Sequence, residues 1–294
     1  MRAPGRHVRA GTVDYLNARP LVHGIECGMG RGAIELSYDV PSVLADRMLR
    51  GELDLALLPV VELARMPDLE IATGLAIATS GAARSVLLVS RRPPASIASI
   101  ALDPESRTSN VLARVILERV WGARPEIVEA GADIAQALAA ADAAVRIGDK
   151  ALFEPLPAGV RAHDLGEEWT RATGLPFVFA AWAARPGVID ADLYRLLGDS
   201  RRDGVRSIDA IAREYSWRGR RDPTVAREYL SRNIRYDLGP SEIRGMELFF
   251  RVARDTGCLG IEPTIRLVPG VSQTATPTAS TRIGVPPARD RSGA

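Results

Sequence analysis

Three segments of this 294-residue chain gather side chains able to hold and polarise a small anion. In the first, Tyr15-Leu16-Asn17-Ala18-Arg19-Pro20, an amide sits at a helix entry, where it can donate to and accept from a bound hydroxyl. The same asparagine also suits an ordinary N-cap. In the second, Asp103-Pro104-Glu105-Ser106-Arg107-Thr108-Ser109-Asn110, hydroxyls cluster where a strand opens into an amphipathic helix. Free backbone N–H groups and the helix dipole make such a start a cradle for a carboxylate. One cap needs one hydroxyl, whereas Ser106, Thr108 and Ser109 supply three. The third, Ile147-Gly148-Asp149-Lys150-Ala151, follows a strand end with a glycine that permits close backbone approach to a ligand, although Gly-Asp is also an everyday turn. Lys150, the only lysine, is expected to be a solvated surface residue and not a Schiff-base amine.

Other chemistries lack their parts. No GxGxxG follows a strand, and Walker, HExxH and GxSxG patterns are missing, which leaves dinucleotide, nucleotide, zinc-hydrolase and serine-hydrolase readings without support. His7, His23 and His163 stand apart in sequence and read as surface or core-rim residues. Cys27 and Cys258 form no CxxC or Cys/His pattern, so neither a disulfide framework nor a zinc site is expected. Trp169, Trp182 and Phe177 read as core.

The elements that must position the three corners alternate between strand and helix. Val8 to Val13 reads as a strand, Ile34 to Tyr38 as a second, Val43 to Leu49 as a helix closed by Gly51, and Leu53 to Pro59 as a strand buried on both faces. Strands at Ile71 to Thr79 and Ser85 to Ser90 precede Pro93-Pro94, which breaks regular structure. A second α/β series runs from Ile97 to Ile147, with Val111, Leu112, Val115 and Ile116 forming one helical stripe. After a long strand around Leu175 to Ala183, the chain turns helical from Asp190 to Asp255, and those helices need a sheet to cover. The expectation is a discontinuous first lobe of residues 8–92 and 180–260, a second lobe of 93–179 inserted into it, two crossover strands as the hinge, and a disordered tail over 261–294.

An apolar fraction of 46% supports a full core, and a net charge of +2 gives no sustained basic field for nucleic acid. Met1 to Ala10 carries positive charge without the apolar stretch of a signal peptide, and no run of about 18 uncharged apolar residues occurs. A cytoplasmic location, away from membranes, is expected.

Taken in order, Val13 to Leu21 (VDYLNARPL), Gly51 to Pro59 (GELDLALLP), Arg84-Ser85-Val86, Ser106-Arg107-Thr108-Ser109, Ile147-Gly148-Asp149, Asp164-Leu165-Gly166 to Trp169 and Thr173 to Ala180 (TGLPFVFA) resemble the chorismate dehydratases of futalosine-dependent menaquinone synthesis. The resemblance spans roughly residues 8 to 260. It implies a two-lobed α/β fold of the type II periplasmic-binding-protein kind with a central cleft. It also implies conversion of chorismate, a dicarboxylate, to 3-[(1-carboxyvinyl)oxy]benzoate without metal or organic cofactor. Carried over by position, Asn17 and Ser85 would face the reacting ring, Ser106, Thr108 and Ser109 would bind carboxylate, and Tyr15 would join the substrate contacts. Gly148, Asp149, Phe177 and Val178 would form cleft wall. With no convincing histidine or glutamate base, the substrate's own enolpyruvyl carboxylate is expected to take the proton. A noncatalytic small-anion binding protein and the related 1,4-dihydroxy-6-naphthoate synthase share the fold; the latter is expected to use a histidine, which no motif here supplies. Oligomeric state is not legible in the sequence.

Overall fold

The computed structural model describes residues 7–131 and 133–268. Its first strands, β1 (Val8–Thr12), β2 (Ile34–Tyr38) and β3 (Leu55–Pro59), pair in parallel with β1 in the middle. Helices α1 (Arg19–Glu26) and α2 (Pro41–Leu49) connect them, each with a proline in its first turn, where the missing N–H has no intrahelical partner to lose. All five residues of β3 are buried, as a strand covered on both faces requires.

From β4 (Glu70–Thr79) the chain crosses to a second sheet. It builds β5 (Val86–Ser90), β6 (Ser99–Ala101), α3 (Arg107–Arg119), β7 (Glu126–Val128), α4 (Ile134–Ala140), β8 (Ala143–Ile147), α5 (Gly148–Phe153), β9 (Arg161–Asp164) and α6 (Leu165–Thr173). It then returns through β10 (Phe177–Ala184), continues as α7 (Ala191–Arg206), α8 (Ile208–Glu214), α9 (Pro223–Glu228) and α10 (Pro240–Asp255), and closes with β11 (Arg266–Val268). The first sheet runs β11-β4-β10-β3-β1-β2 and the second β7-β6-β8-β5-β9. Strand β10 lies antiparallel between β3 and β4, so the returning segment is wedged into the middle of the first sheet.

Three sequence expectations change here. The strand at Val86–Ser90, assigned with residues 8–92 to the first lobe, pairs antiparallel with β8 and β9 and belongs to the second sheet. The proline pair only ends that strand in a short 3-10 turn, Pro94–Ser96, whereas the crossing is the segment after Thr79, where Gly81 and Arg84 both adopt positive φ. The other limit, at 179/180, cuts through β10, all of which pairs in the first sheet. In the segment expected to be disordered from 261, Arg266–Val268 forms β11 parallel to β4, and Thr73 Oγ1 donates to the Val268 carbonyl at 3.1 Å. Residues 269–294 lie outside the described residues.

Helices α1 and α7 cross with backbones nearly touching. A Cβ added at Gly204 would lie 2.1 Å from the Pro20 carbonyl oxygen, and one at Gly24 would lie 2.8 Å from Ser200 Cα. Ser200 Oγ spans the crossing, donating to the Leu21 carbonyl at 3.0 Å and accepting from Ile25 N–H at 3.3 Å. Because α1 starts at the Asn17 corner, this crossing fixes where that corner sits. Gly204→Ala should lower stability by about 2–3 kcal/mol despite alanine's better helix propensity, since the obstacle is backbone that cannot swing aside. A melting temperature unchanged from that of the unaltered protein would contradict this close crossing.

Candidate active site between the two sheets

A cavity lies where the corners from the two sheets meet. From the first sheet come Tyr15 and Asn17, on the 3-10 turn Leu16–Ala18 and its entry, with Val13, Leu57, Pro59, Ile77, Phe179 and Ala180 as apolar wall. Ser85, Val86, Ser106, Ser109, Ile147 and Gly148 face them from the second-sheet side, and Pro41 opens α2 at the edge. None of these lining residues is charged.

Six of the ten expected site residues therefore line one cavity: Tyr15, Asn17, Ser85, Ser106, Ser109 and Gly148. Asn17 makes no N-cap bond, and its buried Oδ1 has no partner among the described residues. Ser106 does cap α3, accepting from Ser109 N–H at 3.3 Å while donating to Ser109 Oγ at 2.9 Å. That direction leaves the Ser109 proton free for a ligand, so cap and cradle coexist at a helix N-terminus favouring anions. Gly148 has φ +68°, and a Cβ there would meet the Tyr15 ring at 3.4 Å.

The other four stand elsewhere. Thr108 Oγ1 accepts from Val61 N–H at 3.4 Å and so touches the 3-10 segment Val60–Ala64 instead of the cavity. Phe177 packs edge-on against Trp169 and Phe249, at 5.4 and 4.8 Å between ring centroids, and Val178 is buried off the cavity beside it. A register shift between Val178 and Ala180 re-aims the strand, and Phe179 and Ala180 take the wall positions. Asp149 turns away from the cavity to accept from Leu16 N–H at 3.2 Å and from the Tyr215 hydroxyl.

Lys150 is not a solvated surface lysine. It is 8% exposed, and its Nζ pairs with Asp103 Oδ2 at 2.8 Å and Glu105 Oε2 at 3.1 Å. The same Glu105 oxygen accepts from Tyr15 OH at 2.9 Å, which ties the first-sheet corner to the second-sheet corner. Burial and the neighbouring Glu105 carboxylate hold the Tyr15 phenol well above its ordinary range, so it stays a neutral donor.

Comparison with known proteins bears on what such a cavity serves. A family model described as menaquinone biosynthesis matches residues 8–255. The chain belongs to this menaquinone biosynthesis family. Chorismate dehydratase of Thermus thermophilus is 29% identical over 258 residues, covering 81% of this chain and 92% of the relative. Chorismate dehydratase of Campylobacter jejuni is 31% identical over 169 residues, 58% of this chain and 60% of the relative. The crystal structure of the periplasmic aliphatic sulphonate binding protein SsuA of Escherichia coli shares the fold, with a TM-score of 0.58 at 15% identity over 95% of this chain and 97% of that one. The architecture of this menaquinone biosynthesis family member is thus the two-lobed α/β fold of periplasmic binding proteins.

Sequence reasoning missed Tyr229, which bonds Ser85 at the site. It opens the π-helical segment Tyr229–Asn233, is 1% exposed, and donates its hydroxyl proton to Ser85 Oγ at 2.7 Å. The Asn17 side chain also acts on this phenol, lowering its pKa against the effect of burial. Nothing in its sequence neighbourhood marks it, because it reads as one more position of the helix over Thr224 to Leu230; in the structure a π turn begins there. Burial raises its pKa, which keeps the phenol neutral.

Asp149 generates a pH dependence. Burial raises its pKa to about 6, against the bonds from Tyr215 and Leu16 N–H that lower it; Asp14 also raises it and Arg19 lowers it. The folded protein thus keeps this proton to a higher pH than the unfolded chain, whose carboxyl titrates near 3.9. The resulting contribution to stability is fully present below about pH 4 and lost as pH rises through 6. Urea unfolding should show the unaltered protein losing up to about 3 kcal/mol relative to Asp149→Asn between pH 4 and 8. A difference that stays flat across that range would refute the assignment.

Proposed function

We propose that this protein is a chorismate dehydratase, removing water from chorismate to give 3-[(1-carboxyvinyl)oxy]benzoate in the cytoplasmic, futalosine-dependent branch of menaquinone synthesis. The observation that carries this reading is that Asn17 and Ser85, from opposite sides of the cleft, line one uncharged cavity together with the hydroxyl-bearing start of α3. Family membership and the two dehydratase relatives point the same way. No histidine lines the cavity, which favours this reaction over that of the related naphthoate synthase.

In the proposed reaction, the ring carboxylate of chorismate sits at Ser106, Ser109 and the α3 N-terminus. The ring hydrogen at the enolpyruvyl-bearing carbon is conjugated through a ring double bond to that carboxylate, so negative charge building as the proton leaves is drawn toward the helix start. The substrate's enolpyruvyl carboxylate takes the proton. The C–H electron pair becomes part of the ring, the C–O bond to the neighbouring hydroxyl breaks, and proton and hydroxide depart as water. Aromatisation supplies much of the driving force, which leaves orientation and placed hydrogen bonds as the protein's share.

Tyr229 sets the polarity of that placement. Because the phenol donates to Ser85 Oγ, the serine proton points to the leaving hydroxyl as a donor. The buried Asn17 Oδ1, without a partner among the described residues, stands as an acceptor in the same cavity. One donor and one acceptor match a C–OH group, which needs both.

Incubation of the purified protein with chorismate should yield the aromatic product, followed by absorbance or chromatography. Intact protein that binds chorismate and returns it unchanged would instead make this a binding protein. Asn17→Ala should cut turnover by roughly a hundredfold with KM within about threefold, the pattern of an interaction realised in the transition state. Tyr229→Phe should lower turnover by about tenfold or more, and should add little on a Ser85→Ala background. Full turnover in Tyr229→Phe, or additive losses in the double variant, would remove Tyr229 from this role.

A further inference from the structure

At the outer face of the α1 and α7 crossing, three potential metal ligands converge. His23 on α1 and Cys27, its C-cap, are one helical turn apart on one face, and Asp203 of α7 stands opposite. His23 Nε2 lies 3.9 Å from Cys27 Sγ and 3.7 Å from Asp203 Oδ2, and all three donor atoms fall within 4.8 Å of one another. The Cys27 contact is a long nitrogen–sulfur hydrogen bond and the Asp203 contact exceeds a good nitrogen–oxygen one, so no short bond locks the three atoms together. A triangle of these sides leaves a point roughly 2.2–2.5 Å from every corner, close to the zinc bond lengths of about 2.0–2.3 Å to nitrogen, oxygen and sulfur.

The scaffold under these side chains is rigid, which a metal site needs if its ligands are to be held apart at the right distance. Gly24 and Gly204 bring the two backbones together and Ser200 bonds across the crossing, so His23, next to Gly24, and Asp203, next to Gly204, are fixed on facing helices. Cys27 is exposed and free of any disulfide, and His23 and Asp203 are partly exposed, which leaves an entry path and a fourth position for water.

We propose that His23, Cys27 and Asp203 bind one borderline-soft divalent cation, zinc in character, which clamps α1 to α7. A thiolate, an imidazole and a carboxylate together select zinc over magnesium or calcium, whose preferred ligands are all oxygen. The site is separate from the cavity residues and does not depend on the proposed reaction.

Titration of the reduced, full-length protein with Zn²⁺ against a chromophoric chelator should give one site with a Kd of roughly micromolar or tighter. Co²⁺ should give a thiolate-to-cobalt charge-transfer band. Cys27→Ser should abolish that band and weaken zinc by about tenfold or more, with Asp203→Asn weakening it as well. Cys258→Ser should leave both readouts unchanged. Zinc binding weaker than about 100 µM, or binding that survives Cys27→Ser and His23→Ala undiminished, would overturn the proposal.

Discussion

A buried carboxylate joins the two halves of this molecule at the point where they share a cavity. Asp149 begins α5 on the second sheet, yet its oxygens accept from Leu16 N–H and the Tyr215 hydroxyl, both on the first-sheet side. The bonded N–H belongs to the residue just before Asn17, so the position of the amide is set from across the cleft. A second tie, from Lys150 through Glu105 to Tyr15, runs parallel to it. Charged groups thus hold the cavity from behind its walls, while the surface offered to a ligand is made of neutral hydroxyls, an amide and apolar side chains.

That division suits the proposed chemistry. A dicarboxylate poised to aromatise carries its own base and much of its own driving force, so a strong base on the protein is unnecessary. The cavity must instead hold the ring in one orientation and give developing charge a helix start to face. The ordered bond from Tyr229 to Ser85 makes the serine a donor, a choice of direction that a hydroxyl alone does not make. A menaquinone biosynthesis enzyme built on a binding-protein fold needs little beyond this set of directed polar groups in one cleft.

Much of the architecture was legible because parallel, doubly covered strands such as β3 read as unbroken apolar runs, and because prolines mark the starts of α1 and α2. The corner residues Asn17, Ser106 and Ser109 were legible because strand ends and helix starts carry their polarity in adjacent positions, whereas Ser85 was reached only through the family resemblance. What stayed hidden depends on contacts distant in sequence. Whether Thr108 faces the cavity or Val61 is decided by a segment 47 residues away. The register shift that exchanges Phe177 for Phe179 arises from pairing with β4. Lys150 looks solvated until Asp103 and Glu105 are folded against it, and Tyr229 looks like core until its hydroxyl meets Ser85. The Pro93-Pro94 pair misled for a related reason: a chain break in local structure need not coincide with the change of sheet.

The central claim is that one cavity between the two sheets holds both the reacting ring and its carboxylate. A crystal structure with the aromatic product, 3-[(1-carboxyvinyl)oxy]benzoate, bound tests it most directly. The account predicts the ring carboxylate against Ser106 and Ser109, with the ring beside Asn17 and Ser85. Product seated instead in the open groove between Arg19 and Trp217, with the inner cavity empty, would contradict it.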